Sequence, residues 1–443
     1  MAGTLRAQYD IVIVGAGKAG VQTASSLRDE GFAGEILLVG DEASAPYDRP
    51  PLSKSFLTGQ GSLDDITLHG EGFYESRRIA LRTGTGAVGL DRGAGNLVLG
   101  DGQAIGYGRL VLATGARARL LPLFGREFGR VVSLRTAADA IVLRKTLPAS
   151  GRVVVIGGGF IGLEVAAVAA RTYGSEVVVV EALPRLMSRS ALPASASGAL
   201  RNLESLGVRV LTGTAIAAVH SSDHRDADGV TTADGDFIPA DLIVSGVGAI
   251  PNTELAEDAG LPVANGVLVD ETLRTADPRV WAIGDCAAFP GAGFPSAGFP
   301  SAGGAGRVRP ESLQNATDQG RHVARALATG AAEPYRALPW FWSDQGDLRF
   351  QSVGLTAGHD RTAVLGDPAS GSFSVLAFRE GRLLGGDSVN AASDHRALRR
   401  LLAAERGRWE AAVTPEACAA PGFALGDLAR GLAEPRAAVP RSV

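Results

Sequence analysis

The same strand, glycine turn and helix pattern occurs twice in this sequence, and the duplication limits the possible folds more than any other feature. In the first copy an aliphatic run, residues 11–14, leads into GAGKAG and then into a helical pattern. In the second copy residues 153–156 lead into GGGFIG and another helical pattern. This order is the context that the dinucleotide-binding fingerprint GxGxxG requires. The fingerprint glycines are Gly15, Gly17 and Gly20 in the first copy and Gly157, Gly159 and Gly162 in the second.

An acidic residue follows each copy at the distance expected for a ribose ligand, about 20 residues after the last glycine. These residues are Asp41 and Glu181, each at the end of a second aliphatic strand. A carboxylate at this position accepts hydrogen bonds from ribose hydroxyls and repels a 2′-phosphate, so Glu181 favours NADH over NADPH. Arg185 and Arg189 follow closely, however, and a nearby arginine is how a 2′-phosphate would be held.

Two complete nucleotide-binding units in one chain predict an α/β protein with more than one domain. A chain of 443 residues is also longer than one hydrophobic core normally supports. Two units imply two nucleotides, and two nucleotides held close together imply hydride transfer between them. The sequence therefore predicts an oxidoreductase.

Composition excludes several other classes of function. The net charge of −4 and the pI near 5.9 argue against a nucleic-acid binder, and no aliphatic run is long enough to span a membrane. The N-terminus lacks the pattern of a secretory signal, so we expect a cytoplasmic protein. Cys286 and Cys418 are too few for a disulphide framework or a four-cysteine cluster. His220 and His224 lie in a polar stretch that predicts a surface turn, so we expect no metal site.

Three further stretches add candidate ligands. PYDRPPLSK, residues 46–54, is a proline-stiffened turn before a helix, and beside a nucleotide it offers Arg49 and Lys54 as cations for a flavin or its phosphates. LVLATGA, residues 110–116, is a buried strand whose glycine turn either closes over a cofactor or leaves the domain. Asp285 follows the strand in DPRVWAIGD and either binds the polyol of a flavin or caps a helix.

The last third of the chain changes character. Residues 290–306, PGAGFPSAGFPSAGGAG, are low in complexity and predict a surface loop or duplicated insertion. A helix is predicted for residues 311–329. Alternating apolar residues from about residue 339 predict a small antiparallel sheet followed by helices. From about residue 426 the tail is rich in alanine, arginine and proline and is expected to be frayed.

Together these stretches resemble the bacterial FAD-dependent, NADH-oxidising ferredoxin reductases of cytochrome P450 and Rieske dioxygenase systems, the group of putidaredoxin and rubredoxin reductases. The resemblance runs from about residue 9 to 345 in family order, and LLGGDSVN extends it weakly towards residue 390. Its stretches are GAGKAG, PYDRPPLSK, LVLATG, VIGGGFIGLE, GVGAIPN, AIGDCA, ESLQNATDQG and PWFWSDQ. Residues 290–306 depart from the family pattern, because relatives have a shorter, more polar segment there.

The resemblance implies a glutathione-reductase-like fold with two Rossmann-type domains and a small α+β C-terminal domain. The FAD domain would be split between residues 1–115 and 248–333, with the NADH domain inserted at residues 116–247. Residues 334–425 would form the C-terminal domain that covers the flavin, and residues 426–443 the tail.

The resemblance also implies the roles of individual residues. Lys54 and Glu164 would form an ion pair close to flavin N5, where a cation stabilises the anion left by hydride arrival. Trp342 would lie beside the isoalloxazine. The FAD ligands would be Gly15, Gly17, Ala19, Gly20, Asp41, Arg49, Lys54, Ala87, Thr114, Gly115, Arg135, Asp285 and Leu313. The NADH ligands would be Gly157, Gly159, Ile161, Gly162, Glu164, Glu181 and Gly248.

The route by which electrons leave follows from the missing thiols. NADH peroxidases and coenzyme A disulphide reductases need a cysteine shortly after the first unit, where this chain reads SKSFLTG, residues 53–59. We therefore expect direct output from the flavin to an acidic [2Fe–2S] ferredoxin. The candidate docking cations are Arg307, Arg309 and Arg321, with Arg396, Arg399 and Arg400 as weaker ones.

Two other readings of the same fold stay open from the sequence. The first is a reductase of a small acceptor such as a quinone or monodehydroascorbate, which would need no protein carrier. The second is a flavoprotein scaffold like apoptosis-inducing factor, in which NADH binding switches dimerisation. Long basic or targeting segments, the sequence mark of such a scaffold, are not seen here.

Overall fold

The computed structural model describes residues 7–121, 130–222, 226–291 and 306–432. Its first sheet is parallel at the centre, in the order β3-β2-β1-β6. The outer edge of β6 pairs with β19 in parallel at Leu110–Leu112 and with β5 in the opposite direction at residues 104–106. The strands are β1 (Gln8–Val14), β2 (Ile36–Val39), β3 (Ile79–Arg82), β4 (Ala87–Asp91), β5 (Asn96–Leu99), β6 (Ala104–Leu112) and β19 (Val280–Ala282).

The second sheet repeats this arrangement, with the parallel order β11-β10-β9-β15-β8. The duplication that the glycine motifs predict therefore extends to the order of the strands. A three-stranded antiparallel sheet, β12-β13-β14, is attached to the second unit. The strands are β8 (Val131–Ser133), β9 (Arg152–Ile156), β10 (Glu176–Glu181), β11 (Arg209–Thr212), β12 (Ile216–His220), β13 (Gly229–Thr232), β14 (Phe237–Pro239) and β15 (Leu242–Ser245).

Helices cover both sheets. The helix after each glycine turn begins earlier than the apolar pattern suggests, at Lys18 instead of Val21 and at Phe160 instead of Leu163. Each starts directly after the middle fingerprint glycine, which is its N-cap. The helices of this part are α1 (Lys18–Asp29), α2 (Phe73–Ser76), α3 (Ala137–Thr146), α4 (Phe160–Tyr173), α5 (Pro193–Ser205), α6 (Glu254–Asp258) and α7 (Leu313–Thr329).

A short ladder joins the two units where the chain leaves the first and returns to it. Strands β7 (Ala116–Ala118) and β16 (Ala249–Pro251) pair antiparallel. Beside them, the Thr114 hydroxyl donates to the Asn252 carbonyl (2.6 Å), and the Asn252 side-chain amide donates to the Thr114 carbonyl (2.8 Å). The first unit continues in a small sheet of β17 (Val263–Ala264), β18 (Gly266–Leu268), β20 (Ala287–Pro290) and β21 (Arg307–Val308).

The C-terminal sheet is antiparallel, as the alternating sequence predicts, in the order β22-β23-β26-β25-β24. One face shares a core with the second unit, where Phe350 and Phe373 pack with residues of α4 and α5. The other face packs against the last helices. These elements are β22 (Trp340–Gln345), β23 (Leu348–Gly354), β24 (Arg361–Asp367), β25 (Ser372–Arg379), β26 (Arg382–Val389), α8 (Ala392–Ala403), α9 (Pro415–Ala419) and α10 (Leu425–Gly431).

The sequence expectation for the tail needs a correction. Helix α10 runs through Gly431, and its Leu425 and Ala429 are buried in the core with α8, because these two residues are four apart and share one face of the helix. The frayed tail thus does not begin at residue 426. His224 and most of the repeat at residues 290–306 lie outside the described residues.

Candidate active site

The two glycine turns have matching backbone geometry. Gly15 and Gly157 have φ angles of 115° and 104°, values that side-chain-bearing residues rarely adopt. A Cβ on either would overlap the backbone that follows the central return strand, at Ala113 in the first unit and Gly246 in the second. A Cβ on Gly20 or Gly162, the third glycine, would overlap the carbonyl of the first. These four glycines are therefore required by the turn itself.

The middle glycine of each turn opens towards free space and fits a pyrophosphate. A Cβ on Gly17 would meet no atom within 4 Å, and one on Gly159 would meet only the Gly246 carbonyl oxygen at 3.8 Å. Both glycines are helix N-caps without a side-chain capping bond, so the first-turn amides of α1 and α4 have no side-chain partner there. Uncapped helix N-termini beside open glycine turns suit one dinucleotide phosphate group each.

The two predicted ribose acids differ in their surroundings. Glu181 accepts hydrogen bonds from the backbone amides of Gly158 and Leu183, both at 2.7 Å. Asp41 is exposed and accepts one bond, from the amide of Glu42 at 3.0 Å. Sequence reasoning passed over Glu42, whose carboxylate is more tightly held than that of Asp41.

Glu42 begins a polar network at the first unit. Its carboxylate pairs with Arg49 (2.6 Å) and accepts from the Tyr47 hydroxyl (2.5 Å). Arg49 also donates to the Arg135 carbonyl (2.6 Å), and Arg135 pairs with Asp285 (2.8 Å). Burial, opposed by nearby Arg49, raises the pKa of Tyr47, so its hydroxyl stays protonated. The network brings together three residues that the family pattern assigns to FAD and that lie far apart in the chain.

Close backbone packing brings the remaining first-unit residues to the same place. The Gly284 amide donates to the Gln319 side chain of α7 (2.7 Å), and a Cβ on Gly284 would stand 3.2 Å from that of Ala19. Asp285 and the first turn of α7, which starts at Leu313, therefore lie near the start of α1. Ala87 follows Gly86, where a Cβ would stand 3.4 Å from the Asp41 Cβ.

Two NADH candidates lie at the second turn in different settings. Ile161, in the first turn of α4, is 44% exposed. A Cβ on Gly248 (φ 106°) would stand 3.1 Å from the Arg189 guanidinium. Arg185, by contrast, donates to the carbonyls of Ala191 (2.8 Å) and Ser188 (2.9 Å), so it holds its own loop together.

Lys54 and Glu164 form the expected ion pair, with Nζ and Oε2 2.8 Å apart. The Glu164 side chain is 3% exposed and that of Lys54 23%. Oε2 also accepts from the Ser53 hydroxyl, and Oε1 accepts from the Ser343 hydroxyl at 2.7 Å. The loop after the first unit, helix α4 and strand β22 therefore meet at one carboxylate.

Trp342 lies half-buried in β22 next to a second tryptophan. Its ring centre is 5.8 Å from that of Trp340, and the Arg399 guanidinium stands 3.9 Å from the Trp340 ring centre. Such an approach is a cation–π contact. Both tryptophans lie on β22, an edge strand of the C-terminal sheet, and Arg399 of α8 covers Trp340.

Neither cysteine has the environment of a redox thiol. Cys286 and Cys418 are free and buried. Burial raises the pKa of both thiols, that of Cys418 to about 11, so both stay protonated at neutral pH. Over the described ranges, no three histidine, cysteine or acidic side chains come together as a metal site, and no helix has the length and hydropathy to cross a membrane.

The arginines that the sequence offers for docking differ in exposure and in hydrogen-bond partners. Arg309 has a side chain that is only 9% exposed and donates to the Asp285 carbonyl (2.9 Å), while Arg307 donates to the carbonyls of Val269 and Ala288. These two arginines support the fold beside Asp285. Arg321 has a 62% exposed side chain, and its one ion pair with a described residue is a long 3.9 Å contact to Asp318. Arg396 is exposed on α8.

Comparison with known proteins agrees with this architecture. The pyridine nucleotide-disulphide oxidoreductase profile matches residues 9–320, and the reductase C-terminal profile matches residues 340–429. Rhodocoxin reductase of Rhodococcus erythropolis is 47% identical over 94% of this chain and 93% of its own length.

Two solved structures are similar over nearly the whole chain. The ferredoxin reductase for the CYP199A2 system from Rhodopseudomonas palustris is 42% identical with a TM-score of 0.87, over 96% of this chain and all of that one. The covalent putidaredoxin reductase–putidaredoxin complex is 35% identical with a TM-score of 0.88, over 97% and 99%. The chain therefore belongs to the pyridine nucleotide-disulphide oxidoreductases, in the group of FAD-dependent ferredoxin reductases.

Proposed function

We propose that this chain is an NADH-dependent ferredoxin reductase that supplies an acidic [2Fe–2S] carrier of a cytochrome P450 or Rieske oxygenase system. The observation that supports this most strongly is the ion pair of Lys54 with Glu164 of α4. Lys54 follows the first nucleotide unit, in the stretch where NADH peroxidases and coenzyme A disulphide reductases need a cysteine. Bound FAD supplies the chemistry, because it accepts a hydride from NADH and releases electrons singly. The protein supplies position and charge.

The first unit holds FAD and the second holds NADH. The open turn at Gly17 and the first-turn amides of α1 would receive the FAD pyrophosphate, and Arg49, Arg135 and Asp285, joined in one network, would supply further polar contacts to the cofactor. The turn at Gly159 and α4 receive the NADH pyrophosphate, and Glu181 accepts from its ribose. We propose domain limits at the β7–β16 ladder, with FAD residues 1–115 and 248–333, NADH residues 116–247 and the C-terminal domain from 334.

Lys54 has an electrostatic role in this proposal. A cation fixed where negative charge develops lowers the barrier to hydride arrival. Glu164 keeps Lys54 in place, since the buried carboxylate has a single cationic partner among the described residues and two hydroxyl donors besides. No acid–base residue is required, because a hydride transfer needs no proton at that step.

The carrier docks beside the C-terminal sheet, where exposed arginines face an acidic partner. Arg321 on α7 and Arg396 on α8 supply this exposed charge, and the half-buried Arg399 lies over Trp340. Opposite charge speeds and orients encounter between electron-transfer partners. A cytoplasmic location is part of the proposal and rests on two free, buried cysteines, a usage typical of reducing compartments.

The test is NADH-dependent cytochrome c reduction with and without a [2Fe–2S] ferredoxin. We expect slow reduction by the reductase alone and strong stimulation when the ferredoxin is added. High turnover with a quinone or monodehydroascorbate and no stimulation by ferredoxin would support the small-acceptor reading instead. A long-lived complex of NADH with the flavin, together with a redox-dependent change in size, would support the scaffold reading.

A further inference from the structure

The two faces of strand β22 carry different residues and contact different parts of the protein. Successive side chains of a strand point to opposite sides, so Trp340 and Trp342 share one face, while Phe341, Ser343 and Gln345 share the other. The second face lies on α4, since the Phe341 ring is 4.8 Å from that of Phe160. Ser343 and Gln345 are 1% and 0% exposed, and of their side-chain polar atoms the Gln345 Oε1 alone lacks a hydrogen-bond partner among the described residues.

The side chains of Gln345 and Ser343 form a chain of two hydrogen bonds, each of which is donated towards Glu164. The Ser343 hydroxyl donates to Glu164 Oε1 at 2.7 Å, because an ionised carboxylate only accepts. The Ser343 oxygen is then free to accept from the Gln345 side-chain amide at 3.3 Å. The other carboxylate oxygen is taken by Lys54 and Ser53. Glu164 is therefore held from both sides, and one side belongs to the C-terminal sheet.

The polar chain continues beyond Gln345 into the second glycine turn. The Gln345 amide lies 3.7 Å from the Met187 sulfur, and the Met187 backbone amide donates to the Gly158 carbonyl at 2.8 Å. Met187 has a φ of 49°, which a residue with a side chain adopts only where its surroundings impose it. The Lys54–Glu164 pair and the NADH turn are thus joined through two buried side chains of β22.

We propose that Ser343, itself oriented by Gln345, is a positioning residue that fixes the Glu164 carboxylate and through it the Lys54 cation. The proposal rests on the proposed function, because it assigns Lys54 to the hydride-accepting site. Without the Ser343 bond, Oε1 loses its only donor among the described residues. The carboxylate then draws Lys54 more strongly and leaves less of its positive charge for the flavin.

The test compares Ser343→Ala with the wild type in the reductive half-reaction, using NADH and holoenzyme without any carrier. We expect the rate constant for flavin bleaching to fall about tenfold, as for loss of one hydrogen bond to a charged group. We also expect a more negative midpoint potential of the bound flavin, with FAD content unchanged. Ser343→Thr keeps the hydroxyl and restores both rate and potential.

Ser388→Ala is the matched control, since Ser388 is a fully buried serine of the same sheet that bonds Ser374 at 3.0 Å. It leaves the half-reaction unchanged. If Ser343→Ala fails to fold, Gln345→Met, which fills the volume without the donor, gives a smaller fall in rate and potential. An unchanged rate and potential in soluble Ser343→Ala would overturn the proposal. Failure of wild-type flavin to bleach with NADH would instead overturn the proposed function.

Discussion

Glu181 accepts a hydrogen bond of 2.7 Å from the backbone amide of Gly158, in the middle of the second glycine turn. Its other oxygen accepts from the Leu183 amide at the same distance. One carboxylate therefore shapes the turn and, in the proposed function, carries the charge that would face an adenosine ribose. These two tasks can be separated by substitution, because an amide side chain keeps an acceptor oxygen and loses the charge.

Glu181→Gln is expected to narrow the preference for NADH over NADPH by about tenfold in kcat/KM, because a 2′-phosphate no longer meets a negative charge. Glu181→Ala removes the acceptor as well, so NADH use falls further than in the glutamine variant. Steady-state reduction of ferricyanide with each nucleotide measures both effects. A wild-type enzyme that prefers NADPH would contradict this role of Glu181.

Lys54→Met removes the only cationic partner that the described residues give to Glu164. Hydride transfer is expected to slow by about 100-fold, because fixed charge at a reacting centre has effects of this size. Stability is expected to fall by about 3 kcal/mol, since a carboxylate that is 3% exposed is left unpaired. Stopped-flow bleaching and chemical unfolding measure the two changes. In Lys54→Met/Glu164→Gln the stability loss is smaller while the rate stays low.

The sequence predicted those parts of the site that depend on short-range spacing. The two glycine turns and Glu181 follow from patterns within about 30 residues, and the structure has the expected turn geometry at Gly15 and Gly157. Glu42 was missed because Asp41, its neighbour, lies at an equally suitable spacing. Glu42 contacts Tyr47 and Arg49 because the loop that carries them folds back onto it, and local spacing does not reveal that fold.

The parts of the site that the sequence did not predict depend mostly on contacts between residues that are far apart in the chain. Nothing local distinguishes Arg309, which is buried beside Asp285, from Arg321, which is exposed one helix further on. Ser343 is one small residue after the aromatic run of residues 340–342, and its role shows only when β22 packs on α4. The ion pair of Lys54 and Glu164 came from family resemblance, since 110 residues separate the two in the chain.

Arg321→Glu is expected to raise the KM for ferredoxin about tenfold and leave NADH–ferricyanide activity unchanged, because in the proposed docking its charge faces the protein carrier and not the nucleotide. Added salt should shrink the difference, since exposed charges are screened. Arg209→Glu, an exposed arginine on β11, is the control with the same change of charge. Equal effects of the two variants would mean that net charge, not a local docking face, governs the encounter.

Asp387 gives the stability of the fold a pH dependence. It is fully buried in β26, accepts from the Leu192 amide at the start of α5 (2.7 Å), and burial raises its pKa to about 6. A raised carboxyl pKa stabilises the fold below the unfolded value near 4, and this contribution is lost as pH rises through 6. The free energy of unfolding is expected to fall by about 3 kcal/mol over this rise in pH. Asp387→Asn removes this slope, which unfolding by guanidinium between pH 4 and 7 measures.

His395 is expected to change the stability of the fold in the opposite direction over the same pH range, so that its contribution is lost as the pH falls. Its ring is 1% exposed, neither nitrogen has a hydrogen-bond partner among the described residues, and burial, with nearby Arg399, lowers its pKa to about 4. The neutral ring is favoured in the fold, so its contribution is complete above pH 6.5 and is lost as pH falls towards 4. His395→Phe keeps an aromatic ring beside Trp340 and removes the titration. Between pH 7 and 4 the free energy of unfolding should therefore fall by about 3 kcal/mol less in the variant than in the wild type. Parallel unfolding curves for the two proteins across that range would show that His395 is charged in the fold.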